Sequence, residues 1–201
     1  MLATTVLVPF LAVFRQLYPG IKLQFLDMAE QDLEQALVDE EIDLGIGTST
    51  GTHREISCTP LFTDTYLAVL PAAHPLARKR QIAWEMLSRE PLIALSPHSP
   101  LRQQLDTHFT QLGVVPTFAF EVSFPTTVFS MVRHDMGMSV LPANAQLLAD
   151  AKGLEFRKLG PPSLRRTVGV FQLTRRSLSP ATTILLESLM DYVKEHREVL
   201  G

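Results

Sequence analysis

The 201 residues are 46% hydrophobic and 19% charged, a balance that buries a core and excludes a disordered chain. A formal net charge of -3 and a pI near 6.1 exclude an overall field that would draw phosphate backbones or acidic membranes. One cysteine, Cys58, excludes an internal disulfide and fits a reducing compartment, where a buried, inert thiol is expected.

In chain order, Leu7, Phe10, Leu11, Phe14 and Leu17 recur at three- and four-residue steps and predict an amphipathic helix ending before Tyr18-Pro19-Gly20. Ile21 to Leu26 alternates as a strand does, Leu33, Ala36 and Leu37 stripe a second helix, and Ile42 to Gly47 reads as a strand buried on both faces. Tyr66 to Leu70 is the next strand, and Pro71 with the basic triplet Arg78-Lys79-Arg80 marks a change of lobe. Leu92 to Leu95, Leu101 to Leu112, Phe118 to Val122, Thr126 to His134 and Met138 to Leu141 then alternate strand and helix as a βαβαβ set. After Gly160-Pro161-Pro162 come a strand, Val168 to Leu173, and a terminal helix, Ala181 to about His196, striped by Ile184, Leu185, Leu189, Tyr192 and Val193. The class is α/β. Met1 to Pro9 has no basic flank or cleavage site, and no apolar run reaches the roughly 18 residues of a membrane helix. The expected location is the cytoplasm, with no membrane partner.

Several blocks together resemble the effector-binding domain of LysR-type transcriptional regulators. Leu11 to Pro19 is similar to a helix ending in F-x-x-x-x-P, and Asp32-Leu33 through Asp43-Leu44-Gly45-Ile46 to an L-x-x-G-x-x-D-L-A-I run. Leu70-Pro71-Ala72-Ala73-His74-Pro75-Leu76 resembles L-P-x-x-H-P-L. Glu90-Pro91-Leu92-Ile93, Val132 to Pro142 and Leu178-Ser179-Pro180-Ala181 resemble E-P-L-I, V-x-x-G-x-G-I-x-x-L-P and L-S-P-A. The chain departs at Glu40 and Asp135, where that family usually carries glycine, and the family's first strand finds no counterpart ahead of the first helix.

The resemblance implies a fold like that of type 2 periplasmic binding proteins: two Rossmann-like lobes, 1–70 with 169–201 and 71–168, joined by two crossover strands. It implies a small-molecule effector between the lobes and no cofactor. DNA would be met only through a winged helix-turn-helix, absent from these residues. A homodimer or tetramer would pair the helices near Val6 to Leu17 and Thr126 to His134. In such a fold ligands lie beyond the carboxyl ends of strands, at helix N-termini. That places Thr4, Thr5, Met28, Ala29, Thr48 and Ser49 at the site from the first lobe, and His98, Ser99, Arg102, Phe124, Pro125 and Thr126 from the second. Ser99 and Thr126 could instead cap helices, and Arg102 could face outward. Two helix starts and an arginine favour an anion, a small carboxylate.

Other chemistry competes poorly. Gly47-Thr48-Ser49-Thr50-Gly51 matches the G-x-S-x-G of serine hydrolases, but no helical stripe follows it, and His134 and Asp135 are not positioned by any motif. Gly45-Ile46-Gly47 lacks the third glycine of a dinucleotide loop and fits strand packing. The six histidines have no paired metal-ligand spacing and read as surface or loop residues. Arg165-Arg166 and Arg175-Arg176 read as solvated clusters. The expectation is a sensor and not an enzyme; a transporter's solute-binding protein would share the fold but require export.

Overall fold

The computed structural model describes residues 1–29, 32–48 and 53–196. Ala3–Leu7 forms a π-helical turn that runs into α1 (Val8–Leu17), followed by α2 (Leu33–Val38), β1 (Gly45–Thr48) and the long β2 (Ile56–Pro71). Then come β3 (Gln81–Ile82), α3 (Trp84–Leu87), β4 (Pro91–Leu95), α4 (Pro100–Leu112), β5 (Thr117–Val122), α5 (Pro125–Arg133) and β6 (Ser139–Pro142). β7 (Leu154–Leu159), β8 (Arg165–Leu173) and α6 (Pro180–Glu195) complete the order. The chain divides into a central unit, Thr65–Arg166 with Met1, and a terminal unit, Leu2–Asp64 and Thr167–Gly201. β2 and β8 each run from one unit into the other.

In the central unit β4 and β5 pair in parallel, Pro91 opposite Thr117 and Leu95 opposite Val122, with one irregularity after Leu92. A parallel bridge from Leu92 to Met138 brings β6 to the other side of β4, so β4-α4-β5-α5-β6 is the expected βαβαβ set. β6 and β7 pair antiparallel with β2, and β3 lies parallel to β7. The period of two along β2 divides the core. Tyr66, Ala68 and Leu70 join Trp84, Leu105 and Phe109 beneath α4, while Val69 joins Val128, Phe129 and Val132 of α5. Each such side chain, fully buried, is worth about 1.5–3 kcal/mol over its exposed state. Gly137 is obligatory here. At φ +150 its Cβ would meet Pro91 O at 2.4 Å, and that carbonyl accepts the Met138 N–H at 2.9 Å.

In the terminal unit β1 runs antiparallel to β8, Gly45 opposite Phe171 and Thr48 opposite Val168, and β8 lies between β1 and β2. Phe10 and Phe14 of α1 pack with Leu189 and Val193 of α6 over Val168 and Val170. Gly45 admits the Leu33 side chain, which would stand 2.8 Å from a Cβ, so its glycine serves packing as expected. Cys58 is half-buried rather than enclosed, its Sγ pressed against Gly169.

The structure corrects several expectations. Ile21 to Leu26 forms no strand: Ile21 and Leu23 turn toward the core and their neighbours outward, but no described segment supplies a ladder partner. Alternation is necessary for a half-buried strand and not sufficient. β2 begins ten residues earlier than the apolar run at Tyr66, because Thr59, Pro60 and Asp64 mask the pattern and the strand is held by β8. β3, α3 and β7 carry no strong periodicity and exist through their partners. Arg166 is buried, not solvated, and its Nη2 donates to Asn144 Oδ1 at 3.2 Å. His108 is buried as well, edge-on to Trp84.

Candidate functional site

The central unit gathers one half of the expected site at a single sheet edge. Because β4 and β5 are parallel neighbours, the chain leaves both at the same end, and each enters a helix within a few residues. Ser96 N–H donates to Val122 O at 2.9 Å and ties the two exits together. His98 and Ser99 precede α4, and Phe124, Pro125 and Thr126 open α5. Both helices begin with proline in the first turn, which has no N–H to orphan there.

Neither hydroxyl caps its helix, which removes the structural alternative considered for them. Ser99 stands at the N-cap of α4 with no side-chain cap bond. The N-cap of α5 is Phe124, which has no cap to offer, and Thr126 lies two residues further in. The first-turn N–H groups of two helices, thirteen and nine residues long, therefore open at this edge without a side-chain acceptor. Such groups carry partial positive charge and suit an anion. His98 and Thr126 are exposed, Ser99 and Pro125 half-buried, and Phe124 stands 67% exposed.

Arg102 does not take the outward-facing position weighed for it. It is 8% exposed, its guanidinium lies 3.8 Å over the Phe118 ring, and it is held from four sides. Nε donates to Asp106 Oδ1 at 2.8 Å and Oδ2 at 3.0 Å; Nη1 donates to Leu95 O at 3.1 Å and Glu121 Oε1 at 3.0 Å. Arg102 thus locks α4 to the ends of β4 and β5. Asp106 was legible as the residue one helical turn away. Glu121 was not, because only strand pairing brings it near.

In the terminal unit Thr4 is exposed and Thr5 buried in the opening helical turn, while Thr48 is buried at the end of β1. Val6 and Ile46 share one apolar cluster, so Thr5 and Thr48 flank the same core. Met28 is half-buried and Ala29 exposed, and Ala29 O accepts the Asp32 N–H at 2.9 Å. Ser49, with most of the hydrolase-like motif, lies outside the described residues.

His74, of the L-P-x-x-H-P-L block, faces Glu90, its Nε2 3.7 Å from Glu90 Oε2. Its Nδ1 accepts the Leu76 N–H at 3.2 Å and starts a short 3-10 helix at Pro75–Arg78. Among the described residues no three His, Cys, Asp or Glu side chains gather as a metal site. No described helix is long and apolar enough to cross a membrane.

The profile of the LysR substrate binding domain matches residues 1–194. The transcriptional activator protein LysR of Escherichia coli is 32% identical over 150 residues, 75% of this chain and 47% of that protein. HinK, a LysR family transcriptional regulator from Pseudomonas aeruginosa, superposes with a TM-score of 0.87 at 26% identity, covering 96% of this chain and 67% of its own. The effector binding domain of QuiR, in complex with shikimate, shares the fold with a TM-score of 0.82 at 22% identity, over 94% of this chain and 91% of its own. The chain spans about half to two-thirds of the length of the curated relatives it matches. Matched along nearly its whole length, the chain belongs to the family of LysR substrate-binding domains.

Proposed function

We propose that this chain is the effector-sensing part of a LysR-type transcriptional regulator, and that it holds a small organic anion at the starts of α4 and α5. The observation that carries this reading is the pair of uncapped helix N-termini at one sheet edge, with the Ser99 and Thr126 hydroxyls unspent on capping. Shikimate, held by the QuiR domain, is a carboxylate of the kind such a site suits.

In this reading the central and terminal units are the two lobes, and Thr4, Thr5, Met28, Ala29, Thr48 and Ser49 complete the site from the terminal unit. A ligand that contacts both lobes favours one arrangement over another, and β2 and β8 carry the change. Arg102 acts as a positioning residue, since an anion would compete with Asp106 and Glu121 for its guanidinium. The regulator works in the cytoplasm as a homodimer or tetramer, meets DNA through a separate segment, and catalyses nothing. Exposed Val8, Val13 and Leu17 on α1 suit self-association; the outer face of α5, with Thr126, Thr127, Ser130 and Arg133, is polar.

Calorimetry with a panel of small carboxylates and their uncharged amides tests the site. At least one carboxylate is expected to bind, its amide much more weakly, and Ser99→Ala combined with Thr126→Ala to weaken it about tenfold or more, the loss of hydrogen bonds to a charged group. Equal affinity for acids and amides would remove the anion from the proposal.

A further inference from the structure

The net charge of -3 conceals a division within the chain. The central unit carries eleven basic and seven acidic residues, and the terminal unit seven basic and fourteen acidic ones. Each excess has an exposed focus.

In the central unit the focus is the edge at β3. Arg78 ends the 3-10 helix Pro75–Arg78, Lys79 and Arg80 lead into β3, and Lys158 of β7 lies beside them, opposite Gln81. All four side chains are exposed, and among the described residues none of them forms an ion pair. Their platform is fixed: Arg157 Nε donates to Ala77 O at 2.7 Å, Lys79 N–H to Leu76 O at 3.0 Å and Gln81 Nε2 to Leu159 O at 3.0 Å. Among the described strands β3 is the outermost of its sheet, so none lies beyond it to cover these charges. Like charges held this near one another repel, and a counter-charge relieves that cost.

In the terminal unit the focus is the end of α2. The left-handed turn at Glu40 leaves Asp39, Glu40 and Glu41 in succession, all exposed, and Asp32 and Asp43 are exposed as well. Of the three in the turn, only Glu40 forms an ion pair among the described residues, with Arg175 at 3.3 Å. The chain thus displays a cationic edge and an anionic turn, each left largely without counter-charge.

We propose that the basic edge at β3 docks on the acidic turn after α2 of a second copy of this chain. The arginines hold carboxylates of the second copy by forked hydrogen bonds, and the lysines add point charges. The contact is heterologous, so every associated pair keeps a free surface of each kind and assembly proceeds beyond two chains. It uses neither the effector site nor the apolar face of α1, and unlike an apolar contact it is screened by salt. Exposed ion pairs contribute little each, so the contact is weak at physiological salt and shows itself at low ionic strength.

Sedimentation equilibrium at neutral pH tests it. Between about 10 mM and 1 M salt the screening length falls from about 30 Å to about 3 Å, and the wild-type association constant is expected to fall about tenfold or more. Reversing the edge (Arg78→Glu, Lys79→Glu, Arg80→Glu) or the turn (Asp39→Lys, Glu41→Lys) should remove the low-salt association. A charge-matched control, Arg89→Glu with Lys152→Glu and Arg165→Glu, should keep it. An equimolar mixture of the edge and turn variants should regain it, because the first retains the acidic turn and the second the basic edge. A wild-type mass indifferent to salt would overturn the contact, as would a control that fails along with the edge variant, or a mixture no heavier than the mean of its parts. Low-salt binding of a mixed-sequence DNA duplex to the edge, with no self-association in its absence, would assign the edge to phosphates and overturn the second copy.

Discussion

Three helices end in one backbone geometry but use three different residues for it. Glu40 after α2, Gly113 after α4 and Asp135 after α5 all take positive φ, at 58, 65 and 56°. Each end closes with the same two bonds: Glu41 N–H to Ala36 O with Glu40 N–H to Leu37 O, Val114 to Phe109 with Gly113 to Thr110, and Met136 to Met131 with Asp135 to Val132. Only glycine takes that conformation without steric cost from a Cβ. The departures at Glu40 and Asp135 therefore change the side chain and not the turn. Asp135→Gly is expected to stabilise the protein by about 0.5–1 kcal/mol, and Gly113→Ala to destabilise it by about 1 kcal/mol, both read from urea unfolding midpoints. Glu40→Gly should gain less than its geometry promises, since the exposed pair with Arg175 at 3.3 Å is lost with it. Sequence alone displayed the missing glycines; that the left-handed turn survives them is a property of the folded helix ends.

At the scale of the element, α4 is fastened at both ends by different chemistry. Near its start Arg102 ties it to the ends of β4 and β5. Further along, His108 lies edge-on to Trp84 with centroids 4.5 Å apart, and Trp84 Nε1 donates to Gly160 O at 3.1 Å and Pro162 O at 3.0 Å. His108 is 7% exposed and its Nε2 has no hydrogen-bond partner. Desolvation lowers its pKa below the ordinary histidine value, a hydrogen bond with the Pro162 backbone opposing the effect. The folded protein then takes up this proton less readily than the unfolded chain. Its contribution to stability is complete above the unfolded value near 6.5 and is lost as pH falls below it. Denaturation midpoints measured between about pH 7 and pH 5 should fall for the wild type and fall less steeply for His108→Phe. Parallel slopes in the two proteins would contradict the assignment. The helix was legible from its apolar spacing, whereas the burial of one histidine on it was not, because Trp84 and Pro162 reach it only through tertiary packing.

For the whole molecule, the proposed self-association places Val13 and Leu17, one helical turn apart, on an outward face of α1. Light scattering should give about twice the 22.4 kDa chain mass for the wild type and the single-chain mass for Val13→Glu with Leu17→Glu. A wild type that stays at one chain mass at high concentration would refute it. The α/β class, nearly every helix, the βαβαβ set of the central unit and the family were legible from the residues, since helical stripes and strand runs are local patterns and family blocks are short-range ones. The start of β2, the strands β3 and β7 and the loss of a strand at Ile21 to Leu26 were not, because a ladder needs a partner that local pattern does not name. The same reason governs the candidate site. Order along the chain placed Ser99 and Thr126 at helix starts, but only the parallel pairing of β4 with β5 put those starts together, and only packing enclosed Arg102 between two carboxylates.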